Sequence, residues 1–202
     1  MEDLLKKAYE SANSDDFETA YEIWNKLAEQ GVAEAQNGVG YCYNFGKVVG
    51  KDYDEALRWY RLAADQGFCK AQHNIGVFYK YGYGIEPDHE TAEKWFTLAA
   101  DQGYEHSQYQ LGLCYAYNEA PRQNIHLAIE YFERAAAQGN AESMFHLGRL
   151  NKYGVGIPVN HEKALAWYKQ SADKDCADAC HDLAITMLQG EGCNKNADGA
   201  IR

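Results

Sequence analysis

The sequence predicts an all-α fold, a row of antiparallel helix pairs, and three observations predict it. The hexapeptide LAADQG stands at 62–67 and again at 98–103, 36 positions apart. On a ruler of that length Gly31, Gly67, Gly103 and Gly139 fall at equal intervals, with Asp175 on the fifth mark. A fixed period of this kind is the signature of stacked supersecondary units. No segment alternates apolar and polar residues with period 2 for long enough to pair as a strand.

Each repeat opens with a helix, here helix A. Four residues after the marks stand Ala35, Ala71, Ser107, Ser143 and Ala179; nine after stand Gly40, Gly76, Gly112, Gly148 and Ala184. Between them Val39, Ile75, Leu111, Leu147 and Leu183 repeat an apolar position, and Tyr43, Tyr79 and Tyr115 an aromatic one that Asn151 and Met187 break. Small, apolar, glycine and tyrosine thus recur at i, i+4, i+5 and i+8, on one face of a helix of period 3.6. The small positions are where two backbones approach.

The loop after helix A reads FGKVVGKDY, YGYGIEPDH and YGVGIPVNH, with YNEAPRQNI at the same length in the third repeat. A nucleotide-binding Gly-x-Gly needs a preceding strand, whereas a helix precedes here, so the glycines predict a turn with positive φ. Helix B follows: DEALRWYRLAADQG, ETAEKWFTLAADQG, HLAIEYFERAAAQG and EKALAWYKQSADKD align without a gap. They align alanine at 56, 92, 128 and 164 and paired aromatics at 59–60, 95–96, 131–132 and 167–168. Good helix formers fill it, and glycine at the first four marks ends it. LAADQG is therefore the last turn and stop signal of helix B. At the C-terminus ADGAIR aligns with HEKALA, which predicts either that the chain is a piece of a longer array or that its end frays.

Composition bounds the partners. Apolar residues make up 46% and charged residues 24%, the balance of a folding chain. Lys plus Arg number 19 against 30 Asp plus Glu, a net charge of −11 that repels phosphate backbones and anionic lipid. Nucleic acid and membrane insertion are therefore not expected. The start, MEDLLKKAYESANSDD, has no signal-like apolar stretch, which predicts a cytoplasmic chain unless a leader has been removed; a monomer is expected.

The pattern A-x-x-x-L-G-x-x-Y, a Gly-x-Gly-[VI] loop, then D-x-x-x-A-x-x-W-[YF]-x-x-A-A-x-Q-G resembles the Sel-one-like repeat, a relative of the tetratricopeptide repeat. The likeness covers about residues 33–202, as repeats 33–68, 69–104, 105–140 and 141–176 with a partial one at 177–202. Residues 1–32 fit more loosely, as a shorter tetratricopeptide-like helix pair. The resemblance implies a right-handed α-solenoid that acts as a protein-interaction scaffold, with no cofactor. Asn151, Met187, Ala184 and Asp175 depart from its pattern.

Chemistry has few footholds. The six cysteines, at 42, 69, 114, 176, 180 and 193, recur at no fixed spacing and are expected to be reduced packing residues. A zinc site of Cys176, Cys180, His181 and Cys193 lacks a recognised spacing. Some relatives are described as penicillin-binding, and Ser171-Ala-Asp-Lys174 has the form S-x-x-K. Ser171, however, aligns with Ala63, Ala99 and Ala135, a small position facing a neighbouring helix, and no K-T-G or S-D-N follows. The chain is thus expected not to be an enzyme. A hydrolase, or a purely structural block of a longer protein, is the alternative.

By the tetratricopeptide resemblance, residues one or two places off the packed positions of helix A line the inner curve. They are Glu34, Asn37, Tyr41 and Asn44; Lys70, His73, Val77 and Lys80; His106, Tyr109, Leu113 and Ala116; Glu142, Phe145, Arg149 and Lys152; and Asp178, His181, Ile185 and Leu188. Four basic and three acidic groups leave this face at +1 in a chain of −11. The expectation is a groove for an extended peptide with acidic and apolar side chains, Tyr109 and Phe145 serving as anchors and Arg149 and Lys152 as charge partners. The alternative is a curved spacer whose polar residues are merely solvated.

Overall fold

A computed structural model describes residues 1–117 and 123–192, and among these it holds eleven α-helices and no strand. The loop stretch 118–122, Cys193 and the segment ADGAIR lie outside the described residues. Two compact halves divide at residue 104. The first contains α1 (Glu2–Asn13), α2 (Phe17–Glu29), α3 (Ala33–Phe45), α4 (Tyr53–Asp65), α5 (Cys69–Tyr81) and α6 (His89–Asp101). The second contains α7 (Glu105–Tyr117), α8 (Ile125–Ala137), α9 (Ala141–Tyr153), α10 (His161–Ala172) and α11 (Ala177–Leu188). From α3 onward the odd-numbered helices are the A helices and the even-numbered ones the B helices.

Hydrogen bonds at both ends of a pair fix its antiparallel register. At one end Gln66 Nε2 donates to Gln36 Oε1 at 2.8 Å, Gln102 to Gln72 at 2.7 Å and Gln138 to Gln108 at 2.8 Å. The glutamine of LAADQG is therefore the partner of a buried glutamine on its own helix A, and each bond satisfies an amide that burial would otherwise leave costly. At the other end the Asp52 amide donates to the Tyr43 carbonyl at 3.0 Å, and Asp88 to Tyr79, Asn124 to Tyr115 and Asn160 to Asn151 likewise. The same residues then cap helix B: Asp52 accepts from the Glu55 amide, Asp88 from Thr91, Asn124 from Leu127 and Asn160 from Lys163. A cap of this type contributes about 1 kcal/mol.

The middle of each pair is a glycine laid on a ring. A Cβ on Gly40, Gly76, Gly112 or Gly148 would stand 2.8, 2.6, 2.5 or 2.5 Å from Tyr60, Phe96, Phe132 or Tyr168. Those four rings are the second members of the helix B aromatic pairs and are at most 1% exposed. Small residues at 35, 71, 107, 143 and 179 are fully buried, as the crossing requires. Within each half, successive pairs stack through helix B of one and helix A of the next, as where Arg61 donates to the Tyr79 hydroxyl at 3.1 Å between α4 and α5.

The loop glycines are turn residues, as expected. Gly82 and Gly84 have φ of 72° and 69°, and Gly154 and Gly156 of 64° and 67°. In the first loop Val48 occupies the second glycine's place at φ 67°. The left-handed region costs a β-branched residue about 1–2 kcal/mol, offset in part by the extra chain entropy that glycine brings to the unfolded state. Val48→Gly is therefore expected to stabilise the protein by about 0.5–1 kcal/mol, raising the midpoint of thermal unfolding followed by circular dichroism by ~2 °C; a lower midpoint would contradict the strain.

Candidate protein-interaction surface

In the first half the predicted residues sit on α3 and α5. Asn37 is buried and its Oδ1 accepts from Asn74 Nδ2 at 3.0 Å. Tyr41 is half-buried, stacked on Phe17 at 6.0 Å and against Phe45 at 4.5 Å. Asn44 lies beside the Tyr60 hydroxyl. Lys70 is exposed, with Nζ 5.9 Å from the Tyr9 ring centre. His73 packs on Phe96 and Tyr104 at 5.4 and 5.2 Å, and Lys80 Nζ lies 5.3 Å over Tyr81. Asn37 and Tyr41 share a cavity of about 240 Å³ with Tyr9, Ala12, Asn13, Phe17, Trp24 and Gly38.

In the second half His106 is exposed beside Glu105, 3.8 Å away, and Tyr109 is half-buried against Phe132 and His146. Phe145 packs between His146 and Tyr168 at 5.5 and 6.0 Å. Arg149 is exposed, its guanidinium 5.8 Å from the Phe145 ring and 6.0 Å from Tyr153. These three line a cavity of about 350 Å³ with Asp178, His181 and Asp182. Lys152 does not join them: it is buried and its Nζ donates to Thr186 Oγ1 at 3.0 Å. Ala116, also predicted on this face, is 1% exposed.

Two features escape the periodic reading. Tyr9, Phe17 and Trp24 complete the first cavity from α1 and α2, in the stretch that fits the repeat loosely; Trp24 stands one period before Tyr60, which could have flagged it. His146 stacks on Phe132 with centres 5.3 Å apart and an interplanar angle of 7°. Its Nδ1 lies 2.8 Å from the Tyr117 hydroxyl. Burial, helped by the Arg149 charge and opposed by Asp178, pushes its pKa down to about 4.

The chemical alternatives find little geometry. The Ser171 side chain is buried and its hydroxyl donates to the Ala141 carbonyl at 2.7 Å. Cys42, Cys69, Cys114, Cys176 and Cys180 are free thiols, and burial pushes Cys42 up to about 12. Among the described residues no group of three or more His, Cys, Asp or Glu is placed to hold a metal; Cys193 falls outside them. None of the described helices is long and apolar enough to cross a membrane. A larger cavity of about 610 Å³ is walled by Ile129, Ile157, Pro158, Val159 and Trp167 on α8, α10 and the loop between α9 and α10.

The family model of the Sel1 repeat matches residues 33–68, 69–104, 105–140, 141–176 and 177–202. Among solved structures, a Sel1 repeat protein from Oxalobacter formigenes is 29% identical with a TM-score of 0.85, over 94% of this chain and 76% of that one. The protein c5321 from uropathogenic Escherichia coli, a protective antigen displaying an SLR fold, is 32% identical with a TM-score of 0.84. That match covers 94% of this chain and 41% of that one, so the chain spans less than half of its length. A putative Sel1 repeat protein from Klebsiella pneumoniae shares the fold at 20% identity and a TM-score of 0.62, over 91% of each chain. No curated protein sequence matches the chain.

Proposed function

Because this chain belongs to the Sel1 repeat family, whose members generally serve as protein-interaction scaffolds, we propose that the free sides of its A helices hold an extended segment of a partner protein. The segment carries acidic and apolar side chains. The observation that supports this most is Arg149. Its guanidinium is exposed, flanked by the Phe145 and Tyr153 rings, and among the described residues makes no ion pair. A cation held near two rings is prepared for a carboxylate, since less side-chain freedom is lost when the bond forms. The cavity beside it is lined by Asp178, His181 and Asp182 as well, so an apolar neighbour packs on its Phe145 and Tyr153 rings alone. Ser171, with its hydroxyl bonded inside the fold, favours this reading over a serine hydrolase.

Arg149→Glu and Phe145→Ala are each expected to weaken a partner recovered by pull-down about tenfold or more, the equivalent of about 1.4 kcal/mol, without change in the helical signal. Binding should also fall as salt rises. A partner indifferent to both substitutions places the interface elsewhere.

A further inference from the structure

We infer that the cavity of about 240 Å³ in the first half is a subsite for one uncharged, apolar side chain of the bound segment, whose neighbouring main-chain carbonyl takes the Asn37 amide. This rests on the peptide-binding reading above and assigns it a subsite in the first half. Four rings wall the cavity, and all four come from helices. Tyr9 meets Trp24 edge-on at 5.5 Å, and Phe17 stacks on Tyr41 at 6.0 Å. Such walls suit an aliphatic or aromatic group, and the volume accommodates a single large side chain.

Two buried polar atoms of the lining, the Trp24 indole Nε1 and the Tyr9 hydroxyl, have no hydrogen-bond partner among the described residues. The Trp24 side chain is 97% buried (3% exposed), and its indole Nε1 donates to nothing among the described residues. Asn37 uses its Oδ1 on Asn74, which leaves the Nδ2 hydrogens for a ligand. A peptide carbonyl, which every peptide unit carries, would meet such donors, and an unmet buried donor is costly.

The rim carries one ion pair and two further charges. Lys47, 4.4 Å over Phe17, is paired with Asp15 at 3.5 Å, and Tyr9 has Lys70 on one side and Glu34 on another. Lys70 makes no ion pair among the described residues, so an acidic side chain has one exposed cation at the rim but no charge among the residues that line the cavity. The cavity also depends on Gly38, which lies directly on the Trp24 ring. The same register carries Asn74, Gln110 and His146 in later repeats, and His146 sets its own ring against Phe132 there.

The test uses the full chain labelled with ¹⁵N and follows the four tryptophan indole N–H signals, that of Trp24 being assigned with Trp24→Phe. N-acetyl-L-leucinamide, added to its solubility limit, is expected to shift the Trp24 signal saturably while Trp59, Trp95 and Trp167 stay in place. N-acetylglycinamide, which has the carbonyls without the side chain, and N-acetyl-L-aspartic acid amide, which adds a charge, are each expected to bind at least tenfold more weakly. Tyr41→Ala, at a half-exposed wall, should weaken the leucine probe at least tenfold with the helical signal unchanged. No selective Trp24 shift, an equal response to the glycine or aspartate probe, or indifference to Tyr41→Ala overturns the subsite. No partner protein enters this experiment, so its failure leaves the outcome at Phe145 and Arg149 to decide the peptide-binding reading separately.

Discussion

Gly76→Leu is expected to destabilise the first half by about 3 kcal/mol or more, the upper end of what overpacking a core costs. Even the first added carbon would stand 2.6 Å from Phe96, a ring with no exposed surface. Nothing near that ring is free to move aside, because α5 and α6 are locked in register by Gln72 with Gln102 at one end and Tyr79 with Asp88 at the other. Gly76→Ala is expected to cost about 2 kcal/mol, and Phe96→Leu placed on top of it to recover part of that loss, a coupling that a double-mutant cycle measures. In a repeat array damage to one pair also separates the transitions of its neighbours. Urea unfolding followed by fluorescence should therefore divide, since Trp24, Trp59 and Trp95 report on the first half and Trp167 on the second. Unchanged stability would remove the crossing role of this glycine.

Acidification is expected to remove about 3 kcal/mol of stability through His146 alone. Its folded pKa of about 4 lies below the ordinary 6.5, first because burial disfavours the imidazolium and second because Arg149 repels it. The unfolded chain therefore binds a proton between those two values that the native state refuses. Stability from this group is whole above pH 6.5 and falls as pH drops towards 4, at about 1.4 kcal/mol per unit. Urea midpoints at pH 7 and pH 4 test it: the loss should be about 3 kcal/mol smaller in His146→Gln, whose amide can still meet the Tyr117 hydroxyl. Equal losses in both proteins would mean that His146 is hydrated in solution. Phe132→Ala, which strips the ring from His146, should raise the imidazole pKa towards 6.5 in an NMR titration.

Helix pairing was legible because it rests on a steric demand that few residues can meet. Only glycine fits where Gly40, Gly76, Gly112 and Gly148 lie on aromatic rings, so the letter repeats wherever the contact does. The surface was less legible, because a register predicts a direction and a neighbour can redirect it. Lys152 shares its register with the partly exposed Lys80, yet it is buried and donates to Thr186, 34 positions on, where Cys114 follows Lys80. Asn37 is drawn in by Asn74, which stands not one period away but 37 positions on. The side chains that set the first cavity come from α1 and α2, where the period is weakest.

The glutamine pairs and the Trp24–Gly38 contact differ in whether they can be moved as a module. A segment cut at the marks takes both glutamines with it, so 33–68, 69–104 and 105–140 could each be excised and grafted with that bond intact. Trp24 and Gly38 stand on opposite sides of the mark at Gly31, and no such cut keeps them together. Grafting 69–104 directly behind α2 would set Asn74 where Gly38 belongs, with its Cβ 2.4 Å from an indole carbon. One indole thus dictates which repeat stands first, whatever the freedom to shuffle the rest.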